Sequence, residues 1–250
     1  QGCGAVRAVL VRVGCGGGTP AALASHRATI GPRFGGCPGS SAPRPPDVPG
    51  PPILHHDVII PQYGQAIGLV DGKLKTRFAE ENYRGAKDAG ILVGPYQWLY
   101  KATQVSPGGQ ARELLAMLAD HPVDLPPSID FEWAPGGKVY NVDTGDLNGW
   151  CVPFEAGYFR KPMIYTAPGY WSEYGSRAAK WAEYPLWLGN YRTKKPTIPA
   201  PWLQWKIWQW SANGDGSKYG VPSNGERAVD LNYWCGTLEE LNKWCGKTIE

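Results

Sequence analysis

The first 56 residues contain no lysine, no tryptophan and a single acid, Asp47, beside five arginines and three of the six cysteines. From residue 35 to Pro52 the chain is Pro- and Gly-rich with no hydrophobic period, so it has little apolar surface to bury. Residues 1–52 are therefore expected to be a disordered or aberrant Pro/Gly/Arg-rich segment, and residues 53–250 a single folded domain. Other absences exclude whole classes of function. The apolar run from Ala5 to Val13 is interrupted by Arg7 and Arg12 and is too short for a membrane span or a signal peptide. A net charge of +3 with no basic stripe argues against a nucleic-acid partner, and a glycine motif for nucleotide phosphates is missing. Cys151, Cys235 and Cys245 show no C-x-x-C spacing and no neighbouring histidine pair, which argues against zinc. They read as buried free thiols, with a Cys235–Cys245 bridge as the alternative. No internal repeat is evident.

What is present lies in the second part. All twelve tryptophans fall between Trp98 and Trp244. Short β-branched or aromatic runs alternate with segments of helical period. Val58–Ile60 and Ile91–Tyr96 read as strands; Leu74–Ala89 and Pro107–Ala119 read as helices. A poorer helix around Leu147–Phe159 leads into a strand at Pro162–Thr166, and Trp171–Ala182 has helical character. Three late strands, Tyr184–Tyr191, Trp205–Ser211 and Ala228–Tyr233, have little helix between them, and a helix at Thr237–Trp244 closes the domain. This β/α order predicts an α/β fold, an irregular TIM-like (β/α) barrel. Seven strands are countable, one fewer than a closed eight-stranded barrel needs.

The chemistry concentrates in Ser128-Ile129-Asp130-Phe131-Glu132-Trp133, directly after Leu125-Pro126-Pro127. Alternate residues of a strand share a face, so Asp130 and Glu132 project together while Ile129 and Phe131 pack the other way. An isolated D-x-E is commonly the solvated face of an edge strand. Here the β/α context favours an interior parallel strand, at whose C-terminal end a carboxylate pair is a site candidate. Two carboxylates held side by side suit protonation of a leaving oxygen with stabilisation of developing positive charge.

From about Val58 onward, the chain resembles glycoside hydrolase family 25, the lysozymes common among phage endolysins and bacterial autolysins. The resemblance rests on the order and spacing of Phe78–Gly90, Gly94-Pro95-Tyr96, Leu125-Pro126-Pro127 before Asp130-x-Glu132, Pro162–Thr166, Pro185-Leu186-Trp187, Trp208-Gln209-Trp210-Ser211 and Val229-Asp230-Leu231-Asn232. It implies hydrolysis of the β-1,4 bond between N-acetylmuramic acid and N-acetylglucosamine in bacterial peptidoglycan. Glu132 would be the general acid. Asp130 would orient the substrate's 2-acetamido group as an internal nucleophile or stabilise the cationic intermediate, and Asp230 would line the site. The adjacent negative charge would favour the protonated form of Glu132. Tyr96, Trp98, Tyr165, Trp187, Trp208 and Gln209 would face the sugars, some of them serving only as core.

The resemblance further implies no cofactor, no membrane or nucleic-acid partner, a monomer, and action on the cell wall after secretion or phage release. The chain departs from the family at its start. The family's first strand carries an Asp-x-Ser motif followed by a glutamine and a glycine and supplies another site aspartate; residues 1–56 contain no counterpart, as a truncated or frame-shifted reading would give. Ala8–Val11 could substitute as a strand but brings no acid. The competing expectations are therefore a catalytically impaired wall-glycan binder and a hydrolase of another amino-sugar polymer such as chitin.

Overall fold

The computed structural model describes residues 8–13, 58–61, 69–70, 73–74, 83–84, 87–88, 92–101, 105–134, 137–215 and 228–246. Its centre is a run of parallel strands, β5 (Leu92–Trp98), β6 (Ser128–Asp130), β7 (Met163–Thr166), β8 (Leu186–Gly189) and β9 (Ile207–Asp215), followed by antiparallel β10 (Ala228–Trp234). Two further strands flank this sheet. β1 (Ala8–Val13) pairs parallel with β5, and β2 (Val58–Pro61) pairs antiparallel with β10, giving the order β1-β5-β6-β7-β8-β9-β10-β2. The outermost strands β1 and β2 come within 8 Å of each other at Cα, so the sheet curls round towards a barrel. A small hairpin pairs β3 (Leu69–Val70) with β4 (Lys73–Leu74). This is the mixed, irregular (β/α) barrel that the alternation of segments predicts.

The helices start where side chains can cap them. Ser106 accepts a hydrogen bond from the Gly109 amide ahead of Pro107, opening α1 (Pro107–Asp120). Asp143 and Asp146 form a reciprocal capping box at the head of α2 (Thr144–Gly157). These two helices pack closely because glycine lies at their contact: a Cβ on Gly157 would stand 2.7 Å from Leu115 Cδ1. Thr237 and Glu240 repeat the capping box for the last helix, α4 (Leu238–Trp244).

Strand alternation sorts the interior into two cores. The outer one, between sheet and helices, collects Ile129, Phe131, Ile164, Leu186, Leu188, Trp208 and Tyr233 with Leu114, Trp150 and Phe154 from the helices. The inner one, enclosed by the curl of the sheet, holds Leu92, Met163, Tyr165, Trp187, Ile207 and Trp234, with Tyr96 against it. Strands β7, β8, β9 and β10 feed both cores with period two.

Several boundaries differ from expectation. The segment read as one helix over Trp171–Ala182 is α3 (Pro168–Tyr174) followed by a separate 3-10 turn at Ala179–Glu183. Pro168 opens α3 early, and at Gly175 the chain folds so tightly on Trp171 that a Cβ would lie 2.3 Å from its carbonyl oxygen. Ala8–Val13, within the segment expected to lack a fold, is a strand beside β5, while Val58–Pro61 sits at the other edge beside β10. The other expectations for residues 1–52 and most of those for the Leu74–Ala89 helix lie outside the described residues; Tyr83, Arg84, Lys87 and Asp88 are helical. Cys151 is a buried free thiol and Cys235 is a free thiol too, so the Cys235–Cys245 bridge does not form.

Candidate active site

The strand register builds the site. Trp98 of β5 lies opposite Asp130 of β6, Asp130 opposite Tyr165 of β7, and Tyr165 opposite Trp187 of β8. These four residues form one row across the inner face at the C-terminal ends of the parallel strands. The row continues to Ile207 of β9, and two residues further along Gln209 lies opposite Gly189 on one side and Asn232 of β10 on the other. Asp230 is two residues before Asn232 and shares its inward face. Asp130, Gln209, Asp230 and Asn232 are all buried polar groups in this otherwise apolar interior.

β6 ends at Asp130, so Glu132 stands in the bend just beyond, half-buried, while Ile129 and Phe131 are fully buried in the outer core. The segment is fixed from both sides: the Leu99 amide donates to the Asp130 carbonyl at 3.0 Å and the Phe131 amide to the Tyr165 carbonyl at 2.9 Å.

Two tyrosine hydroxyls stand within electrostatic reach of the carboxylates. The Tyr165 and Tyr191 hydroxyls are 3.0 Å apart, and Tyr191 donates to Gln209 Oε1 at 2.8 Å. Gly189 makes this possible, because a Cβ there would stand 2.5 Å from the Tyr165 hydroxyl. Burial pushes the Tyr165 phenol well above its ordinary pKa, and the negative charges of Glu132 and Asp130 add to the effect. Tyr191 is pushed up to about 12, first by desolvation and then by Asp230, Glu132 and Asp130, against the lowering effect of its bond to Tyr165. One hydroxyl therefore senses all three carboxylates.

Of the residues expected from sequence, Asp130, Glu132, Asp230, Tyr165, Trp187 and Gln209 converge here. Tyr96 meets Trp187 edge-on at 6.1 Å, and Trp98 stacks on Tyr100 at 6.5 Å on the rim. Trp208 does not belong. It is 1% exposed in the outer core, packs against Trp205 and Tyr233, and donates its indole N–H to the Asn190 carbonyl. The physical reason is parity: Gln209 faces inward, so its neighbour Trp208 must face outward. Two residues were missed. Tyr191 follows Trp187 and Gly189 at alternate positions, and Asn232, which accepts the Trp187 indole N–H at 2.9 Å, follows Asp230 by two. The same alternation that singles out Asp130 and Glu132 would have found Asn232.

Chemically, the arrangement offers acids that can hold or release protons next to neutral hydroxyl donors, in a partly desolvated cavity. Among the described residues no group of three or more His, Cys, Asp or Glu side chains is arranged to hold a metal ion. Among the same residues no helix is long and apolar enough to cross a membrane.

The profile of glycosyl hydrolases family 25 matches residues 69–218. Asp230 and Asn232 lie beyond that span. Lysozyme M1 of Streptomyces globisporus is 30% identical over 142 residues, 53% of this chain and 48% of that protein. The N,O-diacetylmuramidase of Arthroderma benhamiae is 27% identical over 158 residues, 60% of this chain and 65% of that protein. The chain thus spans roughly half to two-thirds of the length of these curated relatives. In structure it is similar to a family GH25 lysozyme from Aspergillus fumigatus, with 26% identity, a TM-score of 0.55 and coverage of 69% of this chain and 82% of that one. The bacterial lysozyme of Streptomyces coelicolor shares the fold at 23% identity and a TM-score of 0.54, covering 69% of this chain and 81% of that one. With the profile matched over more than half of its length, the chain belongs to glycosyl hydrolases family 25.

Proposed function

We propose that this protein is a muramidase that cleaves the β-1,4 bond between N-acetylmuramic acid and N-acetylglucosamine in bacterial peptidoglycan. The observation that carries the reading is the placing of Asp130 in one row with Tyr165 and Trp187 at the C-terminal ends of the parallel strands, with Glu132 directly beyond it. Family membership and relatives named lysozyme and N,O-diacetylmuramidase support the substrate class.

In this reading Glu132 donates its proton to the bridging oxygen as the C1–O bond breaks, and positive charge grows at C1. Asp130 lies deeper and more buried than Glu132, which suits a group fixed in place that acts by position. It either holds the 2-acetamido N–H, so that the acetamido oxygen attacks C1, or stabilises the cation directly. Water then adds to C1, and its proton returns to Glu132. Asp230, whose charge reaches Tyr191, completes the site, and half-buried Tyr96 offers aromatic surface to the sugars. Such an enzyme would act at the cell wall, reaching it by secretion or by release during phage lysis.

A second reading has its own supporting observation. Neither edge strand, Ala8–Val13 nor Val58–Pro61, carries a carboxylate, so the first-strand aspartate of the family has no counterpart in β1 or β2. That favours a wall-glycan binder with impaired catalysis. Release of reducing ends from purified peptidoglycan separates the two. Turnover by the wild type that Glu132→Gln abolishes is expected for the muramidase, whereas binding without turnover by either protein would overturn it.

A further inference from the structure

We propose that Trp133 is a glycan-stacking platform on the rim of the groove, engaging sugars beyond those held at the carboxylates. The proposal rests on the muramidase reading and extends it to how long glycan strands are gripped.

Trp133 directly follows Glu132, yet 44% of it is exposed, unusual for a ring of its size in a chain whose other large aromatics are mostly buried. It is nevertheless held in place. Its ring meets Tyr170 of α3 nearly perpendicular, at 5.2 Å and 75°. The six-membered edge rests on Gly169, where a built Cβ would come within 3.0 Å of Cη2, so any larger residue there would displace the indole. Edge contacts of this kind fix the ring without covering both of its faces.

The loop that carries Trp133 is fastened to α3 at further points. The Tyr170 hydroxyl accepts from the Val142 amide at 3.1 Å and donates to the Val142 carbonyl at 2.7 Å. The Ala134 amide donates to Asn141 Oδ1 at 2.9 Å, closing the loop on itself, and Lys138 pairs with Glu173 at 2.9 Å. A large aromatic that is both exposed and immobilised loses little conformational entropy on binding, which suits it to a flat apolar ligand face.

The occupant follows from position. Trp133 is covalently adjacent to the proposed acid, on the β6 loop, and leans on α3, which follows β7; both loops rise from the carboxylate end of the barrel. A sugar chain crossing Glu132 must leave along this rim, and the apolar faces of its rings match an indole.

The test uses the full chain in a Glu132→Gln background, with and without Trp133→Ala, titrated calorimetrically with soluble, uncross-linked glycan strands of alternating N-acetylglucosamine and N-acetylmuramic acid. One set only spans the carboxylates, and the other is several repeats longer. Trp133→Ala is expected to lower the ratio of long-strand to short-strand affinity about tenfold, with Trp133→Phe restoring part of it. Equal loss on both strand lengths, or no loss on either, with the folded near-ultraviolet spectrum retained, would overturn the platform while leaving the muramidase reading in place. Failure of the parent protein to bind strands of either length would overturn both.

Discussion

The two faces of a single strand, β9, divide the labour of the whole molecule. Trp208 and Trp210 point to the outer core, where Trp208 tilts against Trp205 and Tyr233 and Trp210 stacks on Tyr233 at 5.6 Å. Ile207 and Gln209 point inward, one to the apolar floor and the other to the hydroxyl network. The outer face is built from large rings that exclude water; the inner face keeps polar groups hydrogen-bonded to one another. Aromatic content alone therefore says nothing about the site, whereas strand parity says a great deal.

The largest expected effect tests the outer face. Trp208→Ala removes a fully buried ring from a packed core and should cost about 3–5 kcal/mol, read from urea unfolding. Gln209→Ala, one residue along, should cost far less stability but lower kcat/KM on peptidoglycan. Equal stability losses for the two variants would erase the proposed division between faces. Gly189→Ala sharpens it from the inside. The added methyl, 2.5 Å from the Tyr165 hydroxyl, forces that ring away, an overpacking penalty of about 1–3 kcal/mol together with a fall in activity.

A smaller effect distinguishes Tyr191. Its fold raises the phenol to about 12, above the ordinary value of about 10. Between those two values the unfolded chain has released the proton and the folded chain still holds it, so stability is fully present below about pH 10 and falls as pH rises towards 12. Urea midpoints measured across that range should decline in the wild type and decline less in Tyr191→Phe. An unchanged slope in the variant would mean that Tyr191 is not coupled to the carboxylates. The same variant should also reduce turnover, since Gln209 loses its hydroxyl donor.

Much of this was legible in the sequence, and the limits have physical causes. The D-x-E pair, the helical segments and the sparse helix content between the late strands are local patterns, and local patterns survive without coordinates. Trp208 was misplaced because a run such as Trp-Gln-Trp-Ser announces an alternating strand without saying which phase faces inward; only pairing with β8 and β10 sets that. Tyr191 was missed because it lies past the end of β8, before Arg192 turns the chain at φ 55°, where the strand period is no longer compelling. Ala8–Val11 was readable as a substitute strand from its apolar run, but its partner was not, because the parallel neighbour lies some eighty residues away, from Leu92 onward, and no local signal can report a pairing so distant.

The smallest expected effect belongs to the surface. Lys161 bridges Glu183 at 2.7 Å and lies within 3.9 Å of Glu155, while its ammonium sits 4.6 Å above the Tyr184 ring. This looks like a clamp between α2 and the 3-10 turn, yet its members are partly or largely exposed, and water and salt screen such pairs almost completely. The Tyr184 ring, by contrast, is in the outer core, and its hydroxyl donates to Glu155. Lys161→Ala should therefore leave the urea midpoint unmoved within error at physiological salt, whereas Tyr184→Ala should lower it clearly. If the lysine variant proved as damaging as the tyrosine variant, the outer layer would owe its stability to charge as much as to its packed rings, and the contrast between the two faces of the sheet would have to be redrawn.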